Sequence, residues 1–223
     1  MITITEKLLD LSEGVSKYCV GMEGNISGKV NDKSLLIKAS GTNLTKLTLD
    51  DLVEFDFGGN QLNNLNKRGS MELSFHIYLL GFKEINFISH THPINSLKVL
   101  CSNDIVKRTF ATKRIFPDQV VFNGSESCLV PYRKPGQELT DKIKECVEKF
   151  IVRNEYFPKL ILLENHGIIS CGKTVDECII INEICEKSAE IFMGSVDITF
   201  LLREEVDELV SDKSEKYRQN LVK

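Results

Sequence analysis

A β-hairpin pattern in the first fifth of the chain is the sequence feature that most restricts the fold. Residues 25–30 and 34–39 both show strand-like patterns, and Asn31, Asp32 and Lys33 join them. Such a short polar connection between two strand patterns is typical of antiparallel neighbours. A purely parallel, doubly wound sheet is therefore excluded, and the sheet is expected to be mixed or antiparallel.

Helix and strand patterns alternate irregularly along the rest of the chain. Helical patterns cover residues 5–19, 70–80, 94–101, 139–152 and 174–193, and strand patterns cover 53–57, 85–92, 160–163 and 168–171. Since both types are interleaved, we predict an α/β fold: a three-layer α/β/α sandwich on a mixed, largely antiparallel central sheet. No repeat or Pro/Gly/Ser-rich linker divides the sequence, so we expect one domain over residues 1–223. The charged segment 203–223 is interpreted as a surface helix, with a partner-binding arm as the alternative.

Composition removes several classes of protein. An apolar fraction of 42% with a net charge of −4 excludes disorder, and no apolar run approaches the ~18–20 residues of a membrane span. The N-terminus lacks the pattern of a secretory signal, and the mild acidity argues against nucleic-acid binding. Seven cysteines without a CxxC pair predict reduced, packed thiols and a cytoplasmic protein.

Histidine is scarce, with four residues in the chain, and its placement is informative. His90 and His92 end a predicted strand, and side chains two residues apart on a strand share a face. His166 lies in a turn between two strand patterns, where Gly167 allows the backbone to turn tightly. Imidazoles that converge from two such places suit Zn²⁺ or a similar divalent ion.

Glu72 and His76 are four residues apart on one predicted helix, for which Ser70 is the predicted cap. Glu72 could be a fourth ligand or a general base beside a metal. Taken singly, these residues also have plainer interpretations: a hydrogen-bonded His pair, a turn histidine and an ordinary first-turn acid. We interpret His76 as a helix-packing residue. The coincidence of the other features favours a metal site.

A set of motifs then occurs in a characteristic order: Gly24-Asn25-Ile26-Ser27, Ala39-Ser40-Gly41-Thr42, Ser70-Met71-Glu72 with His76, His90-Thr91-His92-Pro93 and Glu164-Asn165-His166-Gly167. Together they resemble the class II aldolase/adducin family over about residues 8–193. That family includes fuculose- and rhamnulose-phosphate aldolases, a ribulose-phosphate 4-epimerase and a methylthioribulose-phosphate dehydratase. The stretch 38–44 is most similar to the aldolase part of bifunctional aldolase–dehydrogenases.

The resemblance implies a class II aldolase-like domain that forms a homotetramer with active sites at subunit boundaries. It implies a divalent metal, with Zn²⁺ as the expected ion, and His90, His92 and His166 as its ligands. Glu72 would be a ligand in the resting enzyme and the acid/base once substrate displaces it. The substrate phosphate would be bound by Gly24, Asn25, Ser40, Gly41 and Ser70.

The implied reaction is that of a lyase in carbohydrate metabolism: retro-aldol cleavage of a sugar phosphate or related hydroxy-carbonyl compound, with a metal-stabilised enediolate. A pentulose-phosphate 4-epimerase or dehydratase on the same site is one alternative, although an epimerase usually has Asp where Glu72 stands. A non-catalytic adducin-like interaction domain is another, and the retained histidines count against it. The family takes a second acid from a Tyr elsewhere, for which Tyr132 and Tyr217 are candidates.

Two residues depart from the pattern of the family. Met71 replaces a hydroxyl residue and has no hydrogen to donate. Glu23 precedes Gly24 and would repel a phosphate if it faced the same pocket. Lys38 or Lys46 could compensate. These departures leave open whether the substrate is phosphorylated.

Overall fold

The computed structural model describes residues 2–63 and 66–222, within which a seven-stranded sheet has the order β3-β2-β1-β4-β7-β6-β5. The strands are β1 (Asn25–Asn31), β2 (Ser34–Lys38), β3 (Leu52–Asp56), β4 (Phe87–Thr91), β5 (Cys128–Val130), β6 (Leu160–Leu163) and β7 (Gly167–Gly172). All neighbours pair antiparallel except β5 and β6, which are parallel. The predicted mixed, largely antiparallel sheet is confirmed.

The hairpin that restricts the fold is β1–β2, in which Ser27 pairs with Ile37. Its turn is stabilised by Asn31, whose side-chain oxygen accepts from the backbone N–H groups of Lys33 and Ser34 at 2.7 and 3.1 Å. An Asn side chain that bonds to the backbone two residues onward mimics a backbone turn. This local bond explains why the hairpin could be predicted from sequence.

Helices cover both faces of the sheet. They are α1 (Ile4–Val15), α2 (Leu73–Leu80), α3 (Ile94–Leu100), α4 (Asp104–Thr112), α5 (Pro117–Asn123), α6 (Gln137–Asn154), α7 (Val175–Gly194), α8 (Arg203–Ser211) and α9 (Lys213–Leu221). Helices α2 and α6 pack on one face, and α1, α3, α4 and α7 pack on the other. The three-layer sandwich is thereby confirmed.

Alternate residues of the strands point into different cores. In β2, Leu35 and Ile37 contribute to the core with α2 and α6, whereas Leu36 contributes to the core with α1. Each such side chain stabilises the fold by about 1.5–3 kcal/mol when fully buried. Because both faces of the sheet are covered, β6 is apolar and buried at every residue rather than alternating.

Several predicted boundaries need correction. The helix predicted from Ser70 begins at Leu73 with Glu72 as its N-cap residue, and Ser70 lies in the preceding turn. Strand β4 ends at Thr91, one residue before His92. Elements α4, α5 and β5 were not predicted, although α4 has local helix signals in the Asn103 cap and the first-turn Asp104.

The predicted surface helix of the charged tail is two helices, α8 and α9, which pack against α5. Arg218 of α9 forms an ion pair with Asp118 of α5 at 2.7 Å. Residues 1 and 223, the ends of the predicted domain, lie outside the described residues. In the part of the chain that is described, we find no helix with the length and apolar character needed to cross a bilayer.

Candidate active site

Three histidines converge where β4 and β7 lie side by side. The Nε2 atoms of His90 and His92 are 3.1 Å apart, and the ring centroid of His166 lies 4.8 Å from that of His90 and 5.2 Å from that of His92. One potential ligand atom from each residue lies within 4.8 Å of the others. His90 ends up there because β4 pairs with β7, which begins directly after His166. The predicted convergence of the imidazoles is present in the structure.

Gly167 makes this close approach feasible. A Cβ atom at this position would lie 2.5 Å from both Cδ2 of His92 and the carbonyl oxygen of Thr91. The preceding Asn165 has a positive φ of 54°, a conformation that Asn tolerates better than most residues. The turn that carries His166 therefore depends on a residue without a side chain at 167.

Hydrogen bonds fix which histidine nitrogens face the cluster. His90 Nδ1 lies 2.9 Å from the carbonyl oxygen of Ile168, and since a carbonyl only accepts, Nδ1 carries the proton and Nε2 has a free lone pair. The Glu23 carboxylate, 3.6 Å from His92 Nδ1, favours the same tautomer in His92. Two lone pairs 3.1 Å apart repel each other unless a cation lies between them.

Burial keeps the three imidazoles neutral. Desolvation lowers the pKa of His90 to about 4, and desolvation with the influence of His90 lowers the pKa of His92 and of His166 to about 4 as well. A metal ligand must be an unprotonated imidazole. At neutral pH the cluster is therefore in the protonation state that a metal requires.

Glu72 completes the set from α2. Its Oε2 lies 3.4 Å from His90 Nε2, and its Oε1 lies 3.5 Å from His166 Nε2. Among the described residues, neither the buried Glu72 Oε1 nor the buried His166 Nδ1 has a hydrogen-bond partner. A buried carboxylate oxygen without a partner, facing imidazole nitrogens, is the donor chemistry that Zn²⁺ prefers. The residues present therefore fit a divalent cation.

Asn25 on β1 ties Glu72 to the sheet. It lies directly opposite His90 in the β1–β4 pairing, and its Nδ2 donates to Glu72 Oε2 at 2.8 Å. The preceding Gly24 has a positive φ of 69°, and a Cβ there would lie 2.7 Å from the carbonyl oxygen of His90. Position 24 thus has no room for a residue larger than glycine, and the Gly-Asn pair brings the amide of Asn25 to the Glu72 carboxylate.

A small cavity of about 210 Å³ opens beside Glu72 and His166. Its walls include all five residues predicted to bind phosphate: Gly24, Asn25, Ser40, Gly41 and Ser70. Ser70 Oγ also accepts from the backbone N–H of Glu72 at 3.2 Å. The structure therefore brings the predicted ligand residues and the predicted phosphate-binding residues to one place, and their roles remain predictions.

The two departures from the family pattern occupy different positions. Met71 lines the cavity at its rim with 78% of its surface exposed. Glu23 does not line the cavity: it faces His92 and accepts from the Val20 backbone N–H at 3.0 Å. The expected repulsion between Glu23 and a bound phosphate is thus not supported by the geometry.

Of the two candidate compensating lysines, only Lys38 lines the cavity. It is 2% exposed, and its ammonium group donates to the Thr42 carbonyl at 2.6 Å. Lys46 is exposed elsewhere. Pro135 also lines the cavity and was missed, because nothing local distinguishes it. The candidate second acids, Tyr132 and Tyr217, are exposed and do not line the cavity.

The sequence matches a known protein family and several of its members. The model of the class II aldolase and adducin N-terminal domain matches residues 13–193. The chain belongs to the class II aldolase and adducin family. This family member is 28% identical over 178 residues to L-fuculose phosphate aldolase of Methanococcus maripaludis, covering 78% of the chain and 87% of the relative. It is 27% identical over 195 residues to 3-oxo-tetronate 4-phosphate decarboxylase of Haemophilus influenzae, covering 86% and 88%.

Solved structures agree on the fold of this family member. An L-fuculose 1-phosphate aldolase superposes with a TM-score of 0.77 at 18% identity, covering 96% of each chain. A sugar-phosphate aldolase from Thermotoga maritima gives 0.71 at 21% identity, covering 86% of this chain and 94% of its own. The chain is thus a class II aldolase family enzyme, and its relatives are named for two different reactions, aldol cleavage and decarboxylation.

Proposed function

We propose that this class II aldolase family member is a metal-dependent lyase that cleaves a carbon–carbon bond by a retro-aldol reaction. Its substrate is a sugar phosphate or a related hydroxy-carbonyl compound. The observation that carries the proposal is the convergence of three neutral imidazoles with the Glu72 carboxylate, of which His166 and Glu72 also line a small cavity. One divalent cation per chain, with Zn²⁺ as the expected ion, would be held by His90, His92, His166 and Glu72.

A divalent cation bound there supplies positive charge beside the carbonyl and hydroxyl oxygens on which negative charge develops during cleavage. Glu72 is the residue that we assign to move the proton at the carbon next to the carbonyl. Its Oε2 is held by Asn25, and its Oε1 has no hydrogen-bond partner in the described part of the chain. One oxygen is thus fixed, and the other is available as a base once the substrate displaces Glu72 from the cation.

The phosphate-binding role falls to the cavity wall. Ser40 and Ser70 offer hydroxyls to an anion, Gly41 and Ser70 offer backbone N–H groups, and Asn25 offers the amide hydrogen that it does not donate to Glu72. Lys38 adds a buried ammonium group to the same wall. These donors support a phosphorylated substrate even though Met71 contributes no hydrogen bond.

Decarboxylation of a phosphorylated 3-oxo acid is a second candidate. One relative is named for that activity, and the Lys38 ammonium in the cavity wall would suit a carboxylate as well as a phosphate. Both reactions leave negative charge on an oxygen next to the broken bond, so the same four ligand residues would serve. No particular observation in this structure favours epimerisation, dehydration or a non-catalytic role.

Assembly and location remain part of the proposal. A homotetramer with shared active sites is implied by the family resemblance. The exposed apolar side chains of Met22 and Met71 beside the cavity support a cavity opening that a neighbouring subunit covers. Light scattering on the purified protein tests the tetramer. One domain over residues 1–223 and a cytoplasmic location are likewise retained as predictions.

The proposed reaction is tested by incubating the Zn²⁺-loaded protein with a panel of phosphorylated ketoses, free ketoses and phosphorylated 3-oxo acids. NMR of the products is expected to show an aldehyde and a ketone fragment, whereas carbon dioxide release would select the second candidate. A His92→Ala variant and a chelator-treated sample serve as controls. Full turnover in either control, or failure of the wild-type protein to bind any divalent ion, would overturn the proposal.

A further inference from the structure

A chain of buried polar side chains runs from the centre of the sheet to Glu72. Ser27 Oγ lies 2.6 Å from His76 Nδ1, His76 Nε2 contacts Asn25 Oδ1, and Asn25 Nδ2 donates to Glu72 Oε2 at 2.8 Å. His76 and Ser27 are fully buried, and Asn25 and Glu72 are 4% and 8% exposed. All four residues are therefore shielded from bulk water.

The Glu72 carboxylate determines the direction of every hydrogen bond in this series of side chains. An ionised carboxylate only accepts, so Asn25 must turn its Nδ2 toward Glu72. Its Oδ1 then faces His76, which must carry a proton on Nε2. A neutral His76 has a lone pair on Nδ1, which accepts from the Ser27 hydroxyl. A cationic His76 is disfavoured, because no carboxylate of the described residues contacts it and an uncompensated buried charge is costly.

We propose that His76 is a positioning residue that acts through Asn25 to hold the Glu72 carboxylate. The inference rests on the proposed role of Glu72. The Nε2–H of His76 fixes the Asn25 amide in the orientation that donates to Glu72. Without that donor the amide can rotate and present Oδ1 to the carboxylate, and the two oxygens repel each other. Glu72 is then free to leave the arrangement in which Oε1 faces His166.

A packing role and this positioning role make different predictions for substitutions of His76. The imidazole stacks on Phe75 with ring centroids 4.5 Å apart, so His76→Phe keeps a buried ring and removes only the polar atoms. His76→Gln retains an amide N–H close to the position of Nε2. Ser74→Ala is the matched control. It removes a hydrogen bond from the same helix to Thr140 at 2.6 Å and leaves the hydrogen bonds among Ser27, His76, Asn25 and Glu72 unchanged.

The first measurement needs no metal. We expect ¹⁵N NMR of the wild-type protein to show the Nε2–H tautomer of His76 and a slowly exchanging Asn25 side-chain amide. His76→Phe should abolish that protection, while His76→Gln and Ser74→Ala should retain it. An Nδ1–H tautomer, or an Asn25 amide that is unchanged in His76→Phe, would overturn the inference.

The second measurement is Zn²⁺ affinity by chelator competition, with kcat measured alongside. His76→Phe is expected to weaken affinity about 10–100-fold, the usual effect of losing a residue that orients a ligand, and to lower kcat. His76→Gln should restore most of both, and Ser74→Ala should match the wild type. Equal Zn²⁺ affinity in the wild type and in His76→Phe would overturn this inference and leave the proposed function standing. A wild-type protein that binds no divalent ion would overturn the proposed function. In that case the NMR measurement of the Asn25 amide would still decide the role of His76.

Discussion

Asn25 Nδ2 donates a 2.8 Å hydrogen bond to Glu72 Oε2, across 47 residues of sequence. Asn25 lies opposite His90 in the sheet, and Glu72 is the N-cap residue of α2, so this bond sets where the helix starts relative to the imidazoles. The oxygen that accepts from the amide faces His90, and the other oxygen faces His166. The proposed base is thus oriented by the sheet rather than by its own helix.

Replacing Glu72 by Gln keeps the shape of the side chain and an oxygen that can accept from Asn25, but removes the charge. If Glu72 moves a proton, kcat should fall about 10²–10⁴-fold, as for other general acid–base groups. Steady-state kinetics with a circular dichroism check of folding measure this. Glu54→Gln on β3, outside the cavity wall, is the control, and comparable kcat values in both variants would contradict the assignment.

Removing one imidazole should abolish stoichiometric metal binding. We expect about one divalent ion per wild-type chain, and a loss of affinity in His92→Ala beyond the ~10–100-fold typical of residues that only orient a ligand. Elemental analysis after dialysis gives the stoichiometry. Cys101→Ala removes an exposed thiol that does not belong to the cluster and should leave the stoichiometry unchanged. A His92→Ala protein that retains one tightly held ion would refute the ligand set.

Glycine is required at position 167 for steric reasons. A Cβ there would lie 2.5 Å from His92 Cδ2, so Gly167→Ala should destabilise the fold by about 1–3 kcal/mol, as overpacking does, and weaken metal binding. Gly194→Ala meets no atom within 4 Å at the end of α7 and should be neutral or slightly stabilising. Urea unfolding compares the two, and equal free energies of unfolding would show that the turn has more room than the structure indicates.

Met71 offers a gain-of-function test of the phosphate site. A hydroxyl in place of its thioether at the rim of the cavity would add one hydrogen bond to a bound phosphate, worth about 0.5–1.5 kcal/mol. Met71→Ser should therefore lower KM for a phosphorylated substrate several-fold without changing kcat. The same substitution at Met193, which is outside the cavity wall, is the control. A KM that rises in Met71→Ser would place the phosphate elsewhere.

Acid should destabilise the metal-free protein. Burial lowers the pKa of His90 from 6.5 to about 4, so the unfolded chain takes up a proton near pH 6.5 and the folded chain does not until about pH 4. The free energy of unfolding is therefore at its full value above pH 6.5 and falls as the pH drops toward 4. Thermal unfolding in chelator between pH 7 and 5 measures it. A midpoint that does not move over this range would mean that His90 is already protonated in the folded protein or remains neutral in the unfolded one.

The part of the site that the sequence predicted is the part with local signals. His90, His92 and Pro93 end a predicted strand, and Gly167 follows a turn histidine, so the shared face of His90 and His92 could be inferred from periodicity, whereas the full burial of His90 on the central strand could not. The spacing on one helix supplied Glu72 as a candidate, and the resemblance to a family then supplied the phosphate-binding residues of the cavity. The pairing of β4 with β7, which joins these pieces, depends on contacts between residues 78 positions apart, such as His90 and Ile168, and no local pattern encodes it.

The hydrogen-bond partners of His76 could not be predicted from the sequence. Its spacing from Glu72 correctly indicated a helix, and its burial was expected, but its partners Ser27 and Asn25 lie 49 and 51 residues away. Which face of α2 meets β1 is decided by tertiary packing. From sequence alone, a buried polar residue on an apolar helix is therefore interpreted as a packing residue. Its hydrogen-bond partners become known only when the position of the helix on the sheet is known.

The order of the strands also governs how the site is completed during synthesis. Strand β7 lies between β4 and β6, yet it begins only at Gly167, long after β4 ends at Thr91. Until the ribosome has released that late segment, β4 keeps an unpaired edge and the cluster lacks its third imidazole. A nascent chain that lacks β7 thus has only two of the three cluster histidines together with Glu72. Binding of the proposed divalent ion would then require that β7 has been inserted between β4 and β6.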